Sequence, residues 1–234
     1  MGLGYFYGID MTYIIFVLPA LIFTMYAQSK VSSTFKKYST VANRQGFTGA
    51  QVARRILDMN GLHNVVVERI SGNLTDHFDP RSNVVRLSDS TYSSTSVAAI
   101  GVAAHEVGHA VQHAEGYAPI KIRNSIVPVV QIASYAAWPL AIFGIILSFD
   151  NLANFGVILF GAVVLFQLIT LPVEFNASSR AVKTLENYAI LDGDELQSSK
   201  KVLSAAAMTY VASAAVAIAN LLRLLTIVGG RNRD

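Results

Sequence analysis

Residues 152–173 read LANFGVILFGAVVLFQLITLPV, and the next residue is Glu174. The run holds no Asp, Glu, Lys, Arg or His. At about 1.5 Å per residue, a helix of this length reaches across a hydrocarbon core of about 30 Å. Runs of similar character cover 11–27, 126–149 and 202–228. Only Asp150 and Asn151 separate the second run from the third, so those two read as a helical hairpin. The fourth is rich in Ala and Ser, which let helices approach closely in lipid. It is expected inside the bundle, with Arg223 near its end snorkelling to the interface.

Composition agrees. The 234 residues are 53% hydrophobic and only 14% charged, against about 25% charged in soluble domains. One such run could be a buried helix of a soluble protein; four in one short chain point to a bilayer. The net charge of +3 is modest and the basic residues form no dense cluster, which argues against nucleic acid as a partner. The chain has no cysteine, so disulfides, thiolate zinc sites and cysteine nucleophiles are excluded.

The leading segment MGLGYFYGID has no positive charge and contains Asp10. A signal peptide starts basic, and Phe6 breaks the myristoylation pattern that would begin at Gly2. The first run is therefore expected to be an uncleaved anchor. Lys30, Lys36, Lys37 and Arg44 follow it, and Lys121 and Arg123 precede the second run. By the positive-inside rule, residues 28–125 face the cytoplasm. The stretch 174–201, with Arg180, Lys183, Lys200 and Lys201, then returns to that side, and a tail with Arg231 and Arg233 faces out. The expected organisation is an anchor over 1–27, a polar region over 28–125, a transmembrane hairpin over 126–173, a helix over 174–201, and a final span with its tail over 202–234.

The polar region reads as α+β. Thr48 is placed to cap an amphipathic helix through Met59, stopped by Gly61. Residues 65–70 and 83–88 read as strands, punctuated by Gly72, Asn73 and Pro80. Ser93, Ser94 or Thr95 would cap a helix running to about Glu115.

That helix carries His105-Glu106-Val107-Gly108-His109. Residues four apart share a helix face with Cβ atoms about 5–6 Å apart, so two imidazoles at this spacing can bind one Zn²⁺. Glu106, one residue round the helix, is placed to act as general base without being a ligand. A catalytic zinc needs a third protein ligand and an open position. His113 lies about 80° round the helix from His105 and reads as a polar-face residue or an outer support. Glu174 is better placed. Two spans separate it from the His105 region, so both lie on one membrane side, and its stripe continues through Ala177, Ser178, Ala181 and Leu185. A carboxylate on such a stripe needs a partner. The rival is Asp192 in Leu191-Asp192-Gly193, the pairing used by site-2 intramembrane proteases. Here it sits in the polar stretch DGDELQSSK and reads as a turn. The apolar run before His105, residues 97–104, is too short to put the site in mid-bilayer.

The segments AAHEVGHAVQH (103–113), DHFDPRSNVVRLS (76–88), LPVEFNASSRA (171–181) and KKVLSAAAMTYVA (200–212) resemble the YugP-type neutral zinc metallopeptidases of bacterial membranes over nearly the whole chain. The resemblance implies a gluzincin-like site with His105, His109 and Glu174 as zinc ligands. It extends to HtpX and CAAX-protease relatives, in which the third ligand begins a Glu-x-x-x-Asp motif whose Asp orients the first His. This chain has Ser178 at that position, leaving Ser178 or Asn176 to orient His105. The same resemblance implies that Asn83, Val84, Val85, Arg86, Leu87 and Ser88 pair with an extended substrate by strand addition, unless that strand is fully paired in its own sheet. It also makes His77 a candidate oxyanion donor.

The expectation is an α+β membrane protein with about four transmembrane helices and a small cytoplasmic gluzincin-like domain. It would be a multi-pass protein of the bacterial plasma membrane that uses one zinc to cleave membrane-associated proteins or peptides at the cytoplasmic surface. A metal-binding membrane scaffold without turnover and a site-2-type protease are the alternatives. A transporter is disfavoured, because the second and third spans carry no ionisable residue in their cores.

Overall fold

The computed structural model describes residues 10–231. The segment before Asp10, with Gly2 and Phe6, and the tail with Arg233 lie outside them. A π-helical turn (Tyr13–Val17) leads into α1 (Leu18–Tyr38), followed by α2 (Gly49–Met59), β1 (Val66–Ile70), β2 (His77–Asp79), β3 (Val84–Ser88) and the short α3 (Asp89–Tyr92). Then come α4 (Val97–Ala114), α5 (Ala118–Ile146), α6 (Asp150–Asn187) and α7 (Gly193–Arg231).

Four of these helices are long and apolar enough to cross a membrane: Tyr13–Tyr38, Ala118–Ile146, Asp150–Asn187 and Gly193–Gly230, with mean hydropathies of 1.6, 1.8, 2.3 and 2.0. Each extends beyond the apolar run that marks it. Residues 174–201 are not a helix of their own: α6 runs on through Pro172 to Asn187, and α7 already starts at Gly193. Proline removes one backbone donor, and apolar helices tolerate that loss when neighbouring groups re-satisfy the carbonyl it frees. Asp150 and Asn151 likewise open α6, and the hairpin turn lies just before them, with Ser148 left-handed at φ 55°.

The chain forms two compact units. Among the described residues, one takes 10–27, 122–171 and 209–231; the other takes Gln28–Lys121 and Pro172–Met208. In the first, α5 and α6 pack through small residues. A Cβ on Gly144 would sit 2.3 Å from Ala153 N, and one on Gly156 would sit 2.6 Å from Ala137 O. Arg223 does not snorkel. Its side chain is 12% exposed, with Nε 3.6 Å from Asp10 Oδ1 and the guanidinium over the rings of Tyr13 and Trp138. Aromatic faces and a carboxylate solvate the cation inside the unit, so it has no need to reach outward.

The second unit holds the sheet and the HEVGH helix. Thr48 caps α2 in a reciprocal box: its Oγ1 accepts from Gln51 N at 3.3 Å, and Gln51 Oε1 accepts from Thr48 N at 2.9 Å. Such a cap is worth about 1 kcal/mol. Gly61, left-handed at φ 71°, turns the chain after the helix. Val52, Ile56 and Leu57 of α2 are buried against Val97, Ile100 and Val107 of α4. The sheet order is β1-β3-β2, with β1 parallel and β2 antiparallel to β3. Asn83 is left-handed at φ 57° and so belongs to the turn before β3 rather than to the strand. Ser96, not Ser93, Ser94 or Thr95, caps α4: its Oγ accepts from Ala99 N at 3.2 Å. Two of the three earlier residues are used before the helix, where Thr95 O accepts from Asn43 N and Ser94 Oγ from Ser96 N.

Candidate metal centre

His105 and His109 lie one turn apart on α4, and α6 brings Glu174 to the same point. Glu174 Oε2 is 3.3 Å from His105 Nε2 and 3.4 Å from His109 Nε2. The three residues can each offer one ligand atom, all within 4.8 Å of one another. The imidazoles meet edge to face at 85°, with centroids 4.7 Å apart. All three side chains are buried.

The approach of α6 depends on Gly108. A Cβ there would meet Ala177 O at 2.9 Å and Ala177 Cα at 3.3 Å. The glycine inside the HEVGH motif thus lets the backbone of α6 pass over α4 one turn beyond Glu174.

Both histidines are held from behind. Ser178 Oγ lies 3.1 Å from His105 Nδ1, and Gln112 Oε1 lies 3.0 Å from His109 Nδ1. Gln112 is fully buried and spans the two helices, with Nε2 donating to Val173 O and to Asn176 Oδ1, each at 2.9 Å. Arg180 Nε also donates to Asn176 Oδ1, and its Nη2 pairs with Glu115 at 2.7 Å. With both Nδ1 atoms so engaged, both Nε2 atoms turn toward Glu174.

This donor set fits zinc. Tetrahedral ligands at about 2.0–2.1 Å from a metal stand about 3.3 Å from one another, close to the two observed nitrogen–oxygen separations. Two imidazoles and one carboxylate match a catalytic site that leaves its fourth position open. Electrostatics agree with the crowding of ligands. Burial disfavours the imidazolium of His109, but the hydrogen bond to Glu174 and the charges of Glu106 and Glu174 outweigh it and raise its pKa above the ordinary value. The same negative field would favour a divalent cation.

The family described as "Putative neutral zinc metallopeptidase" matches residues 13–229. The chain belongs to that family. It is also 50% identical over 225 residues to the "Putative membrane protease YugP" of Bacillus subtilis (strain 168), covering 96% of this chain and 100% of that protein. No solved structure matches the chain. The zinc metallopeptidase match contains every residue of the cluster.

Other residues singled out in the sequence lie elsewhere. His113 packs its ring against Phe78 with centroids 5.8 Å apart. His77 Nδ1 is 2.9 Å from Thr75 O. Asp192 Oδ1 pairs with Arg44 Nη1 at 2.8 Å, on a side chain 75% exposed, and is not in the metal group. Asn176 touches Gln112 rather than His105, so Ser178 is the group at His105. The segment from Asn83 to Ser88 is not an edge for substrate. Val84, Val85, Arg86, Leu87 and Ser88 pair with β1, Val84 to Arg86 also pair with β2, and Ser88 N donates to Asp76 Oδ1 at 2.8 Å. A strand hydrogen-bonded on both sides has no row of donors and acceptors left to offer. Gln112 is the residue that sequence reading missed. Its signal was its spacing, three residues after His109 and therefore on the same helix face.

Proposed function

We propose that the protein is a membrane-embedded zinc metallopeptidase that hydrolyses peptide bonds of membrane-associated substrates at the cytoplasmic surface. The observation that carries this reading is the meeting of His105 Nε2, His109 Nε2 and Glu174 Oε2 next to Glu106 on the same helix. His105, His109 and Glu174 would hold a zinc ion, which when bound would supply a Lewis acid for the scissile carbonyl and for the attacking water. Glu106 takes a proton from the attacking water and returns it to the leaving amine. Ser178 and Gln112 keep the two imidazoles aimed at one point, and Gly108 keeps Glu174 within reach.

Glu174 directly follows the third apolar run, which supports a site close to the bilayer. The lysines and arginines after the first run support a cytoplasmic orientation. The sheet edge suited to an extended substrate is β2, which pairs only with β3 among the described residues. The ring of Phe78 in β2 packs at a tilt against His113, one turn past His109, so that edge lies beside the helix that carries the two histidines.

The deciding experiment is Glu106→Gln in the full-length protein. Zinc content should be retained, while cleavage of a membrane-derived peptide pool falls by at least about 100-fold. Unchanged cleavage at full zinc occupancy would remove the peptidase mechanism. If neither protein cleaves, the scaffold reading takes its place.

A further inference from the structure

A cavity of about 270 Å³ opens between α1 and α7. Lys30, Thr34 and Lys37 line it from α1, and Lys201 and Ser204 from α7. On each helix these residues recur at spacings of three, four or seven, so each set forms one stripe. Among the described residues no Asp or Glu lines the cavity, and its apolar side is formed by the Tyr38 ring, Ala205 and Met208. The side chains of three lysines, Thr34, Tyr38 and Ser204 thus line a space with no internal counter-charge, with Lys37 Nζ 5.4 Å from the centroid of the Tyr38 ring. Inorganic salt screens such a cluster only partly, so an anion is the natural occupant.

Position selects which anion. Lys30 comes three residues after the apolar run 11–27 ends, and Lys201 immediately precedes the run that starts at 202. Both stripes therefore sit at the boundary where an apolar run meets polar sequence, the depth of lipid headgroups. Met208 and Ala205 then extend the cavity wall along the apolar run of α7. A charged end with an apolar continuation matches an amphiphile better than a free ion. The volume suits a phosphoglycerol headgroup, with the acyl chains left to the bilayer. Basic pockets between membrane helices take phosphate headgroups in this way.

We propose that this cavity binds the phosphate of an anionic glycerophospholipid. The site is separate from the metal centre and does not depend on the peptidase reading.

Native mass spectrometry of the full-length protein in detergent tests it, with phosphatidylglycerol, phosphatidylcholine of the same acyl chains, and inorganic phosphate as probes. The expected result is retention of one phosphatidylglycerol at concentrations where phosphatidylcholine is lost. At about five-fold per lysine, Lys30→Gln, Lys37→Gln and Lys201→Gln together should weaken that binding up to about 100-fold. A triple variant with the same charge loss elsewhere, at Lys36, Lys183 and Lys200, should bind as the parent does. Zinc content and helical circular dichroism report folding. If the first triple variant fails to fold, Lys37→Gln and Lys201→Gln singly carry the test, each weakening binding about five-fold. Equal binding of the two lipids, or equal losses in the two triple variants, would overturn the proposal. Full displacement of the lipid by inorganic phosphate or by an acidic peptide at equal concentration would overturn the lipid assignment.

Discussion

Ser178 Oγ stands 3.1 Å from Nδ1 of His105, four residues after Glu174 on the same helix. Relatives with a Glu-x-x-x-Asp motif have a carboxylate at that position. A histidine that ligates a metal through Nε2 carries its proton on Nδ1, and in that tautomer His105 would donate to a neutral hydroxyl. A hydroxyl fixes the ring without adding a second negative charge beside Glu174, so the imidazole stays less electron-rich than with an Asp behind it.

The two tethers make a paired prediction. Ser178→Ala should weaken zinc binding about 10-fold, and Gln112→Leu by about 10–100-fold, as measured by competition with a chromogenic chelator. Gln112 is the more demanding site because its loss also strips a buried partner from Val173 O and Asn176. Unfolding should therefore shift by about 1–3 kcal/mol as well. Zinc affinity unchanged in both variants would mean that the ligands are held by packing alone.

Gly108→Ala separates helix propensity from helix approach. Alanine is the better helix former by about 1 kcal/mol, so α4 taken alone would gain. The new Cβ would meet the backbone of Ala177 at 2.9 Å, and backbone cannot rotate aside as a side chain can. The expected outcome is normal helical circular dichroism with zinc lost or sharply weakened. Gly161→Ala is the control, since nothing lies within 4 Å of its added Cβ. Full zinc retention in Gly108→Ala would show that α4 and α6 can separate without cost to the site.

Asp79 gives a pH prediction away from the metal. Ser82 Oγ at 2.6 Å, Arg81 N at 3.0 Å and Arg86 Nη1 at 3.2 Å all donate to its carboxylate and hold its pKa well below the ordinary value. A depressed folded-state pKa contributes stability above the unfolded-state value of about 3.9, and that contribution is lost as pH falls below it. Asp79→Asn should therefore lower the thermal midpoint at neutral pH, and the gap to the parent should stay constant down to about pH 4 and narrow progressively below it, as pH falls toward the depressed folded-state pKa. A gap independent of pH would mean that the turn is held by shape rather than by the charge.

How much of this could be read in the sequence follows from the range of each interaction. The HEVGH spacing and the Thr48–Gln51 capping box lie within one or two helical turns, and local geometry settles them. Glu174 needed one further step, an even number of spans between it and His105. Pairing in the sheet is non-local. Nothing within 83–88 says that β3 has neighbours on both sides, and β2 is too short to show an alternating pattern. Four consecutive hydroxyl residues, Ser93 to Ser96, could each have capped α4, and the choice rests on Asn43, far away in the chain, holding Thr95 O. Arg223 is similar: its aromatic partners come from two other helical segments.

The third ligand has a direct test in two carboxylates. Glu174 Oε2 lies within 3.4 Å of Nε2 of both His105 and His109, whereas Asp192 is spent on a surface pair with Arg44. An exposed pair of that kind is worth at most about 1 kcal/mol, so Asp192→Ala should leave fold and zinc content intact. Glu174→Ala leaves two imidazoles, too few for a catalytic zinc site. The purified protein should then lose its metal during dialysis against a weak chelator, as read by elemental analysis per chain. Glu174→Asp shortens the reach by one methylene and should fall between the two. Zinc lost from Asp192→Ala and kept in Glu174→Ala would assign the ligand to the Leu-Asp-Gly turn. That turn would then have to move away from Arg44 to reach His105 and His109.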